Sequence, residues 1–185
     1  SNEKNENIYK KFFKFKIIFS MKSYGFPLKP ISILSNVIKK KLLLFKYFDM
    51  FYLGILKILL YVVKISNHIK FQQCELNELK GQNIEIFNES NNFSMERSDN
   101  FLEWRFEKSP NEYYYKKIIK GQNLIGFVIL RNVLYNGLKV TVLIDFYSLS
   151  EINFFDKIKI REQILTECIK SDSDIFFSII NKNNT

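Results

Sequence analysis

The sequence has few of the residues on which many enzyme and scaffold classes depend. Its two cysteines, Cys74 and Cys168, stand in no CxxC pair, and its single histidine is His68. These counts argue against a disulfide framework, a zinc knuckle, a Ser-His-Asp triad and a multi-histidine metal site. We interpret His68 as a solvated loop residue. With only 6 glycines and 3 prolines but 46% apolar residues among 185, the chain can bury a core the size of one domain or slightly more.

Positive charge is concentrated in the first part of the chain. Residues 1–72 hold 14 lysines and three acids, a net charge of +11, whereas residues 73–185 have a net charge of −2. Such asymmetry indicates an anionic partner, either a membrane surface or nucleic acid, and nucleic acid is the less favoured of the two. A lysine-rich face in contact only with solvent is the commoner explanation of such a bias.

The first 65 residues alternate between strand and helix patterns. Period-two alternation of apolar residues and lysines predicts a strand at 11–19. The segment 24–27, which contains a glycine and a proline, is predicted to interrupt the regular structure. The apolar run 31–34 is predicted to be a second short strand. The stretch 35–65 contains no proline and one glycine, which predicts one or two helices.

The apolar content of residues 42–65 raises the question of a membrane span. Lys46, Asp49 and Lys57 fall inside the segment, and each would cost about 2.5 to 3.5 kcal/mol near the bilayer centre. Each large apolar residue gains only about 0.3 to 0.6 kcal/mol, so the balance is near zero. We therefore predict a largely helical segment that lies in an interface or packs against the sheet or a partner.

The second part of the chain carries clear turn and cap signals. A boundary or linker is expected at 66–82, a short strand at 83–87, and a helix that begins at the Ser98 cap and ends before Pro110. Strands at 113–120, 124–131 and 138–146 form an antiparallel meander, whose second turn is Asn136-Gly137.

A helix and a strand are expected after the meander. Ser150 is the predicted cap of a helix that continues to Lys170, because apolar residues recur there at helical spacing. The apolar run 174–180 predicts a strand buried on both faces and adjacent to the third strand of the meander.

Short motifs between residues 101 and 146 follow an order known from one protein family. They are FLEWRF at 101–106, Ser109-Pro110, the tyrosines at 113–115, LIGFVILR at 124–131 and IDF at 144–146. This series resembles the second half of double-GNAT proteins in the GNAT acyltransferase superfamily. Ser20, the Tyr24-Gly25-Phe26 motif and 31–34 resemble the element that closes the first half, in which a serine begins a short helix before the last strand.

The resemblance implies an α+β fold with a GNAT-like mixed, mostly antiparallel sheet and flanking helices, preceded by a basic strand and a long helical segment. It divides the chain into the tail of an upstream GNAT-like half (1–34), a helical basic connector (35–72) and a GNAT-like domain (73–185). The part of the first half that carries acyl-CoA would then lie upstream of Ser1. That missing half, or a second copy of the chain, is the implied protein partner.

The implied activity is transfer of an acyl group from acetyl-CoA or another acyl-CoA to an amine, without a metal. In GNAT enzymes the pantetheine pairs with the fourth strand, here 138–146, where it separates from the fifth, here 174–180. The pyrophosphate rests on a glycine-rich loop at the next helix N-terminus, here 147–151.

The loop 147–151 contains no glycine, and we expect Glu151 to place a negative charge in the first helical turn. We therefore expect an incomplete or catalytically degenerate half that does not bind acyl-CoA tightly by itself. The alternative is a non-enzymatic basic module for an anionic membrane or nucleic acid. The expected location is the cytoplasm, either free or at a membrane periphery.

The resemblance also suggests site residues, each with a structural alternative. Trp104 could instead anchor its helix on the sheet, Arg105 could pair with Glu103, Glu107 or Asp145, and Asp145 could cap the following loop. The candidate general bases are Asp145 and Glu103, and the candidate substrate-binding residues are Arg105, Trp104, Tyr113 and Tyr115.

Overall fold

A computed structural model of the protein describes residues 21–38, 46–64, 69–80, 98–149 and 152–181. The larger of two compact units is Gly25–Ser178; the smaller comprises Ser1–Tyr24 and Ile179–Thr185, of which residues 21–24 and 179–181 are described. The strands predicted at 11–19 and 83–87 lie outside the described residues, as do Ser20 and His68. The domain division at residues 34 and 72 stays a prediction.

The described residues form an α+β protein. The strands are β1 (Met21–Pro27), β2 (Ile69–Cys74), β3 (Tyr114–Lys120), β4 (Asn123–Tyr135), β5 (Leu138–Ser148) and β6 (Ile175–Asn181). The helices are α1 (Pro30–Ile38), α2 (Lys46–Lys64), α3 (Asp99–Leu102), which continues as a wider helical turn over Glu103–Glu107, and α4 (Phe154–Lys170), with a short 3-10 turn at Leu76–Glu78.

The strands form one six-stranded, mostly antiparallel sheet in the order β1-β6-β5-β4-β3-β2. β2, β3, β4 and β5 are successive antiparallel neighbours, which confirms the predicted meander. The backbone at Asn136 and Gly137 has φ values of 50° and 79°, as a type I′ turn requires. β6 lies parallel to β5, in register from Val140–Ile175 to Leu143–Ser178, so its predicted position beside the third strand is also confirmed.

Hydrophobic clusters cover both faces of this sheet within the larger unit. On one face, Ile118, Val128 and Leu130 pack with residues of α4 and α2. On the other face, Phe127, Ile129 and Tyr147 pack against the α3 segment and Leu79. We call these the α4 face and the α3 face. Alternate residues of β4 point to opposite faces, so its six consecutive buried residues, 125–130, serve both cores.

Three predictions about the first part of the chain are wrong. Residues 31–34 belong to helix α1 and not to a strand, while 21–27, expected to contain a short helix and a break, form strand β1. Part of the expected linker, 69–74, is strand β2, which pairs with β3 over its whole length. The predicted helix within 42–65 is confirmed over α2, and its Leu53 and Leu56 pack into the core of the α4 face.

Asp49 explains why 30–38 becomes a helix. Pro30 occupies the first helical position, where its missing N–H costs nothing. The buried carboxylate of Asp49, from the first turn of α2, accepts hydrogen bonds from the backbone N–H groups of Ile31 (2.8 Å) and Ser32 (2.9 Å). A residue 17 positions further along the chain therefore caps α1, which no local pattern indicates.

Within the described residues, no helix combines the length and the apolar content needed to cross a bilayer.

Candidate functional site

The α3 face of the sheet carries the predicted site residues in one cross-strand row. Cys74 lies opposite Tyr115, Tyr115 opposite Ile129, and Ile129 opposite Asp145. Residues directly opposite one another project from the same face, so Tyr115 and Asp145 share the α3 face. Their strands are two apart, which corresponds to about 10 Å.

Asp145 lies at an irregularity of strand β5. The register shifts there, with Ile129 opposite Asp145 but Leu130 opposite Leu143, so Ile144 is an extra residue on β5. The half-buried Asp145 accepts a hydrogen bond at Oδ1 from the backbone N–H of Phe146, at 2.9 Å. The carboxylate thus meets the backbone of its own strand at a bulge that bends this strand.

Tyr113 and Tyr115 pack around one phenylalanine beside this row. The ring centroid of Phe106 is 5.1 Å from that of Tyr113 and 6.2 Å from that of Tyr115, and both contacts are edge to face. The Tyr113 hydroxyl lies 3.2 Å from Ser109 Oγ. Burial, followed by neighbouring Tyr113, Cys74 and Glu107, raises the pKa of Tyr115 to about 12. Its phenol is therefore a neutral hydrogen-bond donor at physiological pH.

The α3 segment covers this face as predicted but anchors itself differently. Ser98 caps it, because its side chain accepts a hydrogen bond from the Phe101 N–H. The buried residues are Leu102 and Phe106, spaced four apart. Trp104, for which anchoring on the sheet was the structural alternative, is 65% exposed and lies beside the Phe101 ring, at 6.0 Å between centroids. Its indole is accessible to a ligand.

Arg105 lies between two aromatic rings. Its guanidinium carbon is 5.8 Å from the centroid of Phe101 and 5.6 Å from that of Phe106, which is cation–π distance. Two of the carboxylates expected to pair with it pair with lysines: Glu103 with Lys108 and Glu107 with Lys80. A guanidinium group in contact with aromatic rings can still bind a carboxylate or phosphate through two parallel N–H donors.

Glu103 is the weaker of the two candidate bases. A hydrogen bond from Lys108, with N–O distance 3.0 Å, holds the pKa of its exposed carboxyl below the usual range. A general base works best when its pKa lies near the working pH. The pairing with Lys108 therefore argues against Glu103 as the group that accepts a proton.

Sequence reasoning missed Cys74 as a neighbour of the site. It ends β2, and burial, reinforced by the Glu78 carboxylate, raises its pKa to about 11, so it is a thiol and not a thiolate. The signal was available, because Ile69 and Phe71 alternate with polar residues in the period of a strand. Reading 66–82 as a linker concealed it.

The helix expected to receive a pyrophosphate begins later than predicted. The cap of α4 is Asn153 and not Ser150, since its side chain accepts a hydrogen bond from the Asp156 N–H at 2.9 Å. The carboxylate of the first turn is therefore Asp156, which pairs with Lys120 at 2.7 Å, and not Glu151. Ser150 and Glu151 lie outside the described residues.

The start of the loop 147–151, where the pyrophosphate was expected, is held against strand β4. Tyr147 is buried, and the Leu149 N–H donates to the Ile125 carbonyl at 2.9 Å. This hydrogen bond and the cap at Asn153 use backbone N–H groups that a phosphate site would require.

The structure thus gathers Tyr113, Tyr115 and Asp145 on one face, beside the segment that bears Trp104 and Arg105. Among the described side chains, no group of three His, Cys, Asp or Glu is placed to hold a metal ion. The sequence matches no protein-family model and no curated protein.

Proposed function

We propose that this chain contains a GNAT-like N-acyltransferase domain in which the loop for the pyrophosphate of acyl-CoA is degenerate. The observation that carries the proposal is strand β5: it is antiparallel to β4, parallel to β6 after a crossover through α4, and bulged at Ile144. A parallel pair at this point of an otherwise antiparallel meander is the arrangement that the motif resemblance implies for pantetheine recognition.

The end of β5 supplies the proposed acyl-CoA strand. Its parallel register with β6 extends to the Leu143–Ser178 pair, while β5 itself continues to Ser148. In this proposal the amides of pantetheine pair with the backbone of 144–148. The acyl carbonyl would then lie close to the bulge and to Asp145.

The α3 face would receive the amine. Asp145 is the proposed group that accepts the amine proton, and Trp104 is an exposed aromatic surface on the segment that covers the same face. Tyr115, neutral and half-buried, is placed to donate a hydrogen bond. Arg105, at cation–π distance from Phe101 and Phe106, would hold an anionic group of the acceptor.

The loss of N–H donors at the expected pyrophosphate site explains why we expect weak binding of acyl-CoA. Each charge-assisted hydrogen bond to a phosphate contributes about 1.5 to 3 kcal/mol. The Asn153 side chain occupies the Asp156 N–H and strand β4 occupies the Leu149 N–H. Loss of two such bonds shifts a micromolar ligand to about millimolar affinity. A GNAT-like partner domain, or a second copy of the chain, would then complete the acyl-CoA site.

Amide-resolved NMR titration of the full ¹⁵N-labelled chain with two halves of coenzyme A tests this proposal. We expect pantetheine to shift the amides of 144–149 with a dissociation constant of about 1 mM. Adenosine 3′,5′-bisphosphate is the matched control, and we expect it to leave the α4 N-terminus unshifted.

The two parts of the proposal fail separately. If acetyl-CoA and pantetheine leave 144–149 unshifted at about tenfold above that concentration, the GNAT assignment is overturned. Low-micromolar binding of acetyl-CoA would retain the assignment but would show that the pyrophosphate loop is not degenerate.

A further inference from the structure

Helix α2 exposes a continuous apolar surface to solvent. Its exposed large apolar side chains range from 44% accessible at Ile55 to 78% at Tyr47. Positions 47, 51, 55 and 58 follow one another at spacings of four, four and three, which places them along one side of the helix. We call this surface the outer face of α2; it comprises Tyr47, Phe48, Met50, Phe51, Ile55, Ile58 and Leu59.

The helix cannot bury this surface by rotating. Its other side is held by Leu53 and Leu56 in the core of the α4 face, and by the Asp49 carboxylate on the first turn of α1. From residue 47 to residue 59 the outer face is about 18 Å long. A contiguous apolar patch of this kind, on a helix locked in position, indicates contact with something outside the described residues.

Charge indicates what the outer face contacts. The only acid of α2 is Asp49, which is buried against α1, while Lys57 is exposed and lies in one helical line with positions 46 and 64, both lysines. An apolar face flanked by a line of lysines is the pattern of a helix that lies in a membrane interface. The sequence 1–72, of which α2 is a part, has a net charge of +11, and such a charge attracts anionic lipid.

The charge of α2 disfavours a second copy as the occupant, since the helix has three lysines and one acid, and pairing two outer faces would bring like charges together. Nucleic acid would use the lysines but leave the apolar side chains exposed.

We propose that the outer face of α2 docks the protein on an anionic membrane surface, with the helix parallel to the bilayer plane. Phe51 and Ile58 lie in the acyl boundary and Lys57 lies among the headgroups. This inference is independent of the acyltransferase proposal.

Vesicle sedimentation with the full chain tests the docking. We expect vesicles of phosphatidylcholine with phosphatidylserine to bind the protein at least about tenfold more tightly than pure phosphatidylcholine, and the binding to weaken with salt. Replacing both Phe51→Gln and Ile58→Gln should lower the partition coefficient by about tenfold or more without changing net charge.

A matched variant controls for general loss of apolar surface. Leu134→Gln with Tyr135→Gln alters two side chains, 75% and 66% exposed, at the β4–β5 hairpin, and should leave partitioning unchanged. Thermal unfolding midpoints of both variants should stay near that of the unchanged protein, because all four side chains are exposed.

Several results would overturn the proposal. They are absence of binding to anionic vesicles, equal loss of binding in both double variants, or a dimer in solution that the Phe51 and Ile58 changes dissociate while vesicles do not bind. Salt-sensitive binding to an oligonucleotide in place of vesicles, unaffected by the two changes, would point to nucleic acid instead.

Discussion

Gly126 is a residue of β4 at which the backbone of β5 leaves no space for a side chain. A Cβ atom there would collide with the backbone carbonyl oxygen of Tyr147 and lie 3.3 Å from its carbonyl carbon. The obstruction is backbone and not a flexible side chain, so only glycine allows this pairing. The motif residue is therefore explained by packing on the sheet, whatever the function of the α3 face.

Gly126→Ala should destabilise the protein by about 1 to 3 kcal/mol, because β5 must move away from β4. Gly54→Ala is the matched control, since its added Cβ meets nothing within 4 Å. It lies inside helix α2, where alanine is favoured by about 0.5 to 1 kcal/mol, so its effect should have the opposite sign. Urea unfolding followed by circular dichroism measures both; equal effects would contradict the proposed collision.

At the scale of elements, one carboxylate joins two helices. Asp49 is 5% exposed and accepts the N–H groups of Ile31 and Ser32 together with the Ser32 hydroxyl, which lies at 2.6 Å. It also lies in the first turn of its own helix, where a negative charge is favourable. This one side chain thus determines both the start of α1 and its position beside α2.

We expect Asp49→Ala to lower the free energy of unfolding by about 2 to 3 kcal/mol, because two N–H donors and a hydroxyl lose their acceptor. Asp49→Asn keeps one acceptor oxygen and should lose about half as much, while Ser32→Ala removes only the hydroxyl contact. Denaturant titration of the three variants establishes this order. An alanine variant as stable as the original protein would refute the capping role.

The sheet elements show a similar division between local and distant determinants. The meander was predictable because each strand and the Asn136-Gly137 turn carry their own signals. The start of α4 was not, since Ser150 and Asn153 are both competent caps and the choice depends on where the chain leaves β5.

For the whole molecule, a charged cluster joins three distant parts of the chain. Asp172 pairs with Lys29 at 2.6 Å and with Lys139 at 2.8 Å. Nearby, the Asp174 carbonyl accepts the N–H groups of Leu28 and Lys29. Hydrogen bonds first from Lys139 and then from Lys29 lower the pKa of Asp172 from 3.8 to about 2.

A carboxyl group whose pKa is lower in the folded protein stabilises the folded state fully when the pH is above its unfolded-state pKa. This stabilisation is lost when the pH falls below its folded-state pKa. The contribution of Asp172 is therefore complete above about pH 4 to 5 and is lost as the pH falls through about 2. Its side chain is 64% exposed, so solvent screening reduces this contribution to roughly 1 kcal/mol or less.

Asp172→Asn isolates that contribution, because asparagine also tolerates the left-handed backbone at this residue, where φ is 56°. The difference in unfolding free energy between the two proteins should be largest near neutral pH, shrink between pH 4 and pH 2, and be reduced by about 1 M salt. A difference that is constant across this range would show that the cluster contributes nothing through charge.

The candidate site residues stay a prediction, but strand register and burial show where the fold puts them. The residues Arg105, Tyr113, Tyr115 and Asp145 were identifiable from motifs, and strand register later placed Tyr115 and Asp145 on one face. The exposure of Trp104 was not identifiable, because a helix of this length can anchor through any apolar pair spaced four apart. The burial of Leu102 and Phe106 decided the question.

Sequence alone determined the elements whose signals are local: the meander, its glycine turn, the Ser98 cap, the apolar content of α2 and the position of β6 beside β5. Tertiary structure decided the conformation of the short apolar runs that fit either a strand or a helix. The run 31–34 is too short for its periodicity to distinguish strand from helix, and a carboxylate from another helix selected the helix. Strand β2 has a weak alternation of apolar and polar residues, and its pairing with β3 along its whole length made this short segment a strand of the sheet.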